Sequence, residues 1–340
     1  MVDFQEPPPS AKAPAMRYAV FDLGSNSIKF VVAETRAGRV RVLAEQSIST
    51  RLAEHLIDTC ELRPEAIART LAALRHIRAH AAKLGITHFR AVATSAVRDS
   101  RNRREFLRAA REVLGFPVRL LSGVEEAETI FAGVTADPHW RGKDIFILDI
   151  GGGSAEWVQG RHGKMEKRIS LPLGAVRLRE RFLHEYPVAP DTAALLVETI
   201  RGQITHPLAP YALGSRRLLG TGGTITCLVA IHKKLALFDP QKIDHTSLTL
   251  QQIRSLLRSF TGRTLEQLRA LPGLPAKRAD LILPGTAVVL ATMELLGARR
   301  LHISVRGLRY GVLTAAINEE ESRGASPSPG RRPAKARAAL

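Results

Sequence analysis

Two cysteines, Cys60 and Cys227, are all that the 340 residues contain, and their separation allows neither a disulfide framework nor a CxxC metal pair. Both read as core thiols in a reducing compartment. Long apolar runs are missing too: the best segment, 286–298, is too short to span a membrane and carries Glu294. At the N-terminus, MVDFQEPPPSAKAPAM sets acids and prolines ahead of any apolar stretch, against the pattern of a secretory signal. These absences point to a cytoplasmic protein with no membrane partner. Eleven histidines show no HExxH-like spacing and read as structural or exposed. Acidic residues are scarce: 32 Asp and Glu face 50 Lys and Arg, a net charge of +18. Five of the cations, Arg323, Arg331, Arg332, Lys335 and Arg337, follow Glu321, so the body of the chain is basic without them. A field of that sign draws anions, and it admits nucleic acid, nucleotides and inorganic polyphosphate without choosing among them.

With 45% hydrophobic and 24% charged residues, the chain is long enough for two domains, each with its own core. Residues 1–16 are rich in Pro and Ala, and 322–340 in Ser, Pro, Gly, Arg and Ala, so both are expected to be disordered tails. Between them, 18–23, 28–34 and 40–45 read as a meander of three strands. Helical patterns at 64–84 and 102–114 follow, with strands at 89–94 and near 118–121. After a helix that begins near Ser122 the scheme restarts, with strands at 144–150, 155–159 and 164–170. The break near 137–142 divides the chain into a first α/β domain, 17–136, and a second, 137–321.

The duplication has a chemical signature. Asp22-Leu-Gly24-Ser25-Asn26-Ser27 and Asp149-Ile-Gly151-Gly152-Gly153-Ser154 occupy the same place in the two halves. A glycine loop after a strand lets backbone N–H groups approach an anion, although one such loop alone reads equally well as a tight hairpin. Two matched copies favour phosphate. Both lead into strands, which excludes a dinucleotide fingerprint of strand, loop and helix. A third cluster, Gly220-Thr-Gly222-Gly223-Thr224, precedes a helix whose N-terminus could also face an anion. Three such loops imply a cleft between the halves. Asp22 and Asp149, at strand ends beside bound phosphates, are natural positions for Mg²⁺; the bland alternative is that each caps its own turn.

In Ser122-Gly-Val-Glu125-Glu126, Ser122 and Glu125 have the spacing of a capping box, which gives Glu125 a structural task and leaves Glu126 free. Glu126 could deprotonate a water for in-line attack on a terminal phosphorus. Arg98, in the turn of TSAVRDSRN, has the planar fork that holds phosphate oxygens, or else is an ordinary surface arginine.

These residues carry a family resemblance. FDLGSNSIKF, TSAVRDSRN, LSGVEEAE, LDIGGGSAEW, SLPLGAVRL, GTGGT, LPGLPAKRADLILPG and RGLRYGVL, spread over residues 17–315, make the chain similar to the exopolyphosphatase and guanosine pentaphosphate phosphohydrolase family, in the actin-like ATPase superfamily. The resemblance implies two ribonuclease H-like domains around a cleft. It implies hydrolysis of the terminal phosphoanhydride of polyphosphate, or alternatively of pppGpp, with Mg²⁺ or Mn²⁺. It also implies a catalytic Glu126, a phosphate-binding Arg98, and functional positions at Asp149, Gly151 and Glu156, with Glu156 a further metal position. Tyr310 stands where many members carry an acid, and the helical C-terminal module of longer members is absent. In this short form a polyanion channel has to come from surface arginines or from a homodimer. Polyphosphate is favoured over pppGpp because a long polyanion gains more from a spread positive field. No nucleic acid partner is expected. A kinase of the same superfamily and a non-catalytic nucleotide sensor are the competing readings.

Overall fold

The computed structural model describes residues 15–36 and 39–324. The expected tails at 1–14 and 325–340, and the turn at 37–38, lie outside the described residues. Met16 already belongs to a strand, and the last helix continues past Glu321 to Gly324.

Two sheets repeat one plan. In the first, β1 (Met16–Leu23), β2 (Ser27–Arg36) and β3 (Arg39–Ser49) form an antiparallel meander, and β4 (His88–Ala93) and β5 (Val118–Leu120) add in parallel on the other side of β1. The order is β3-β2-β1-β4-β5. In the second, β6 (Ile145–Ile150), β7 (Ala155–Arg161) and β8 (Lys164–Leu171) repeat the meander. Next come β9 (Arg217–Thr221), then β10 (Ser247–Thr249) and β11 (Arg300–Ile303), giving β8-β7-β6-β9-β11-β10 with β10 as an antiparallel edge strand. β1 and β6 are the central strands, and β6 is buried along its whole length, which is why Ile145-Phe-Ile-Leu148 reads as an unbroken apolar run rather than an alternation.

The faces of the two sheets that look toward one another share a core. Tyr18, Val20, Val31 and Val92 from the first meet Ile145, Ile147, Val158 and Leu219 from the second through two helices, Gly123–Thr135 and Leu308–Gly324. The terminal helix thus returns from the second half to pack on β1 and on the helix Gly123–Thr135. Glycines set how close these helices come: a methyl at Gly133 would collide with the carbonyl of Gly307, and one at Gly311 with the carbonyl of Thr129. Backbone cannot retreat as a flexible side chain can, so Gly311→Ala is expected to destabilise the protein by about 1–3 kcal/mol. Urea unfolding would show this as a lower midpoint at unchanged slope.

Candidate active site

The two Asp-Gly loops close in the same way. Gly24 N donates to Ser27 O at 3.2 Å, and Gly151 N donates to Ser154 O at 3.0 Å. Asp22 pairs in register with Lys29, and Asp149 with Glu156. The loops press against one another: a methyl on Gly152 would strike Cβ of Ser25, and one on Gly153 would strike the hydroxyls of Ser95 and Ser25. These two glycines are therefore required by loop-on-loop contact as much as by approach to a ligand. Neighbouring N–H groups hold the loop carbonyls. Thr50 and Arg51 donate to Asn26 O, Ala53 to Ser25 O, Ala175 to Gly151 O and Val176 to Gly152 O. With the carbonyls engaged, the loop amides are the backbone groups left for an anion.

The third loop completes the cleft from the second half. Gly222 has φ +95°, and a methyl there would collide with Asp149 Oδ1. The helix Gly223–His232 starts beside it, and the Arg278 guanidinium lies over Gly223 in the space a Cβ there would take. The resulting cleft is lined by both Asp-Gly loops, Asp22, Lys29, Glu126, Asp149, Gly223, Thr224 and Arg278. It adjoins a larger space that shares Lys29, Gly223 and Arg278 with it and is bordered by Gln46, Phe238, Lys277 and Arg309.

Four buried carboxylates meet here. Burial raises the carboxyls of Asp22 and Asp149 above the usual range; Lys29, with Nζ 3.7 Å from Asp22 Oδ2, opposes the shift in both, and Asp22 adds to that of Asp149. Burial pushes Glu126 up to about 7, against an Arg98 Nη1 at 3.0 Å, with Asp22 and Asp149 contributing repulsion. Glu156 is held well above the ordinary range by burial and then by Glu126 and Asp149, although Ser170 Oγ donates to it at 2.7 Å. Four carboxyls crowd together, and Asp149 Oδ1 is buried with no hydrogen-bond partner. Hard oxygen donors in excess, one of them orphaned, suit a divalent cation such as Mg²⁺. Arg98 stands behind Glu126, also donating to Leu121 O at 2.9 Å, and Glu156 stands behind Asp149; neither lines the cleft. The capping box is present, with Glu125 N donating to Ser122 Oγ at 3.2 Å and Ser122 N to Glu125 Oε2 at 2.8 Å. Those bonds and Arg119 hold the Glu125 carboxyl at about 2, and Glu126 is the acid left facing the cleft.

The sequence profile of the Ppx/GppA phosphatase family matches residues 31–320. The chain belongs to that family. It is 33% identical over 287 residues to exopolyphosphatase 2 of Mycobacterium tuberculosis, covering 80% of this chain and 88% of that protein. It is also 28% identical over 313 residues to a bifunctional 3-dehydroquinate synthase/phosphatase of Fusobacterium nucleatum; the match takes in 89% of this chain but spans only 47% of that relative. The crystal structure of the Aquifex aeolicus Ppx/GppA family member superposes with a TM-score of 0.77 at 28% identity, covering 90% of this chain and 99% of that one. The fold is accordingly the actin-like ATPase type with two ribonuclease H-like sheets.

In this Ppx/GppA phosphatase the structure adds site residues that sequence reasoning passed over. Lys29 follows Asp22 by the same interval at which Glu156 follows Asp149, so the duplication itself could have exposed it. Arg278 had no such signal, because only the tertiary fold lays it on the third loop. Tyr310 also has an account: its hydroxyl donates to Glu45 of β3, as does Arg309, and an acid at that position would repel Glu45. Among the described residues, one group of metal-type side chains has donor atoms all within 4.8 Å of one another, and it is elsewhere: Asp137, Asp244 and His245. His245 Nε2 lies 2.8 Å from Asp137 Oδ2, with Arg306 Nε at 3.7 Å, so the charge of Asp137 is answered by neighbouring side chains. No helix among the described residues is long and apolar enough to cross a membrane.

Proposed function

We propose that the chain is a cytoplasmic exopolyphosphatase that hydrolyses the terminal phosphoanhydride of inorganic polyphosphate and releases orthophosphate. The observation that carries this reading is Glu126: a buried carboxyl that changes charge at about 7, opening onto a cleft walled by phosphate-type loops. A general base works best with its pKa near the working pH. In the proposed reaction Glu126 accepts a proton from water as the water oxygen bonds to the terminal phosphorus. The bridging P–O bond breaks, and the shortened chain leaves as the anion. Gly24 to Ser27, Gly151 to Ser154, and Gly222, Gly223 and Thr224 supply backbone and hydroxyl donors to the terminal phosphates, and Arg98, expected from the sequence to hold those oxygens, instead stands behind Glu126 and orients its carboxylate. Asp22 and Asp149, with Glu156 behind, would hold Mg²⁺ or Mn²⁺, which when bound neutralises charge on the phosphoryl oxygens. A homodimer would extend the basic surface for long chains, and sedimentation would detect it.

A second reading, pppGpp 5'-phosphohydrolase, is favoured by the larger space beside the phosphate site, where Phe238, Pro240, Ile48 and Val305 offer apolar surface suited to a nucleoside. Phosphate release from polyphosphates of graded length and from pppGpp, with Mg²⁺ and with Mn²⁺, separates the two. Polyphosphate is expected to be the better substrate, and its turnover to fall more steeply with added salt than that of pppGpp, because more counterions are released on binding. Equal salt sensitivity, or preference for pppGpp, would favour the second reading. Phosphate transferred from ATP to an acceptor would indicate a kinase, and the absence of multiple turnover a binding protein.

A further inference from the structure

Arg51 joins two parts of the cleft that come from opposite halves of the chain. Its backbone, at φ +50°, donates to Asn26 O at 2.9 Å and so holds the first phosphate loop. Its guanidinium Nη2 lies 2.6 Å from both Oδ1 and Oδ2 of Asp280, in the first turn of the helix Ala279–Leu295. Asp280 is nine-tenths buried, its backbone carbonyl accepts from Tyr186 Oη at 2.8 Å, and Arg179 Nε stands further off at 3.9 Å. Two positions before it, Arg278 carries the guanidinium that covers Gly223. One ion pair therefore fixes the first loop relative to Arg278. Nearby, His55 N donates to Glu180 Oε1 at 2.7 Å and Arg177 Nη2 to Asp99 Oδ2 at 2.5 Å, along the same seam between the halves.

We infer that Arg51 and Asp280 form a positioning latch that sets the separation of the first phosphate loop and Arg278, and thereby the reactive geometry of a substrate neither residue touches. The reading rests on the hydrolase function proposed above. A carboxylate and a guanidinium in bidentate contact define both distance and orientation. Because a shift of about 1 Å in a reactive geometry can cost 10²-fold, loosening the latch should lower kcat more than it raises KM.

Asp280→Asn, which keeps side-chain size, and Arg51→Gln, which shortens the side chain, each remove the ion pair, and the exchange Arg51→Asp with Asp280→Arg restores it reversed. Each single variant is expected to lose roughly tenfold or more in kcat on polyphosphate and to show a larger radius of gyration by small-angle scattering, and Asp280→Asn, which leaves no unpaired buried carboxylate, to keep its melting temperature near that of the wild type. The exchange variant is expected to recover activity well above the product of the effects of Arg51→Asp and Asp280→Arg made singly. Unchanged kcat in both single variants, or strict multiplication of effects in the exchange, overturns the latch. Should the wild type release phosphate from neither polyphosphate nor pppGpp, the hydrolase reading falls, and scattering alone judges the latch: equal radii in wild type and single variants would then reject it.

Discussion

Replacing Glu126 with glutamine is expected to lower kcat by roughly 10² to 10⁴, the range for loss of a general base, while substrate affinity stays close to wild type. The amide keeps an oxygen for Arg98, whose Nη1 now lies 3.0 Å from Glu126 Oε2, so the local frame is preserved and only proton acceptance is lost. Steady-state phosphate release measures the effect, and near-wild-type turnover would remove Glu126 from the reaction. The pH profile gives a second check. With a carboxyl titrating at about 7, wild-type activity should fall on the acidic side of that value, and the limb should be missing from the residual activity of the variant. Stability carries the opposite sign. A folded pKa above the unfolded one gives stability that is complete below the ordinary carboxyl value and is lost as pH rises through about 7. Metal-free Glu126→Gln should therefore melt higher than metal-free wild type at pH 8.

Asp149→Asn should cost about 10² or more in kcat/KM, because it removes the charge of the one cleft carboxylate with a buried oxygen that no protein group satisfies. Two thermal measurements distinguish this from simple damage. Without metal, the variant should be at least as stable as wild type above neutral pH, since one of four crowded acids has become neutral. Added Mg²⁺ should raise the melting temperature of wild type and leave that of the variant nearly unchanged, as binding linkage requires when affinity is lost. A variant that retains the full Mg²⁺ response would exclude Asp149 as a ligand.

Much of this site was legible because its signals are local. A strand ending in Asp-x-Gly, repeated in two halves, is written within a few residues, and so is the Ser122–Glu125 capping box that leaves Glu126 facing the cleft. The meander order of each sheet follows from short loops between adjacent strands. What sequence reasoning missed depends on distant chain segments meeting. Arg278 gains its place only when its helix docks beside Gly223, and the Arg51–Asp280 pair spans most of the chain. Gly152 and Gly153 look like phosphate-loop glycines in isolation, yet their neighbours in space are Ser25 and Ser95. Likewise the docking of the terminal helix on the helix Gly123–Thr135 is marked by Gly133 and Gly311, two glycines inside helices that local propensity would count as weaknesses.

The seven-residue echo that puts Lys29 opposite Asp22 and Glu156 opposite Asp149 makes the duplicated halves unequal in charge. A perfectly twofold site would treat both ends of a linear polyanion alike and could seat it in either direction. Here the first half presents the Lys29 ammonium to the cleft, while its counterpart Glu156 lies behind Asp149 and off the cleft, so the two walls are not equivalent. An anion seated between the halves therefore meets a cation from the first and none at the matching position of the second, so the shared loops do not make its two flanks alike.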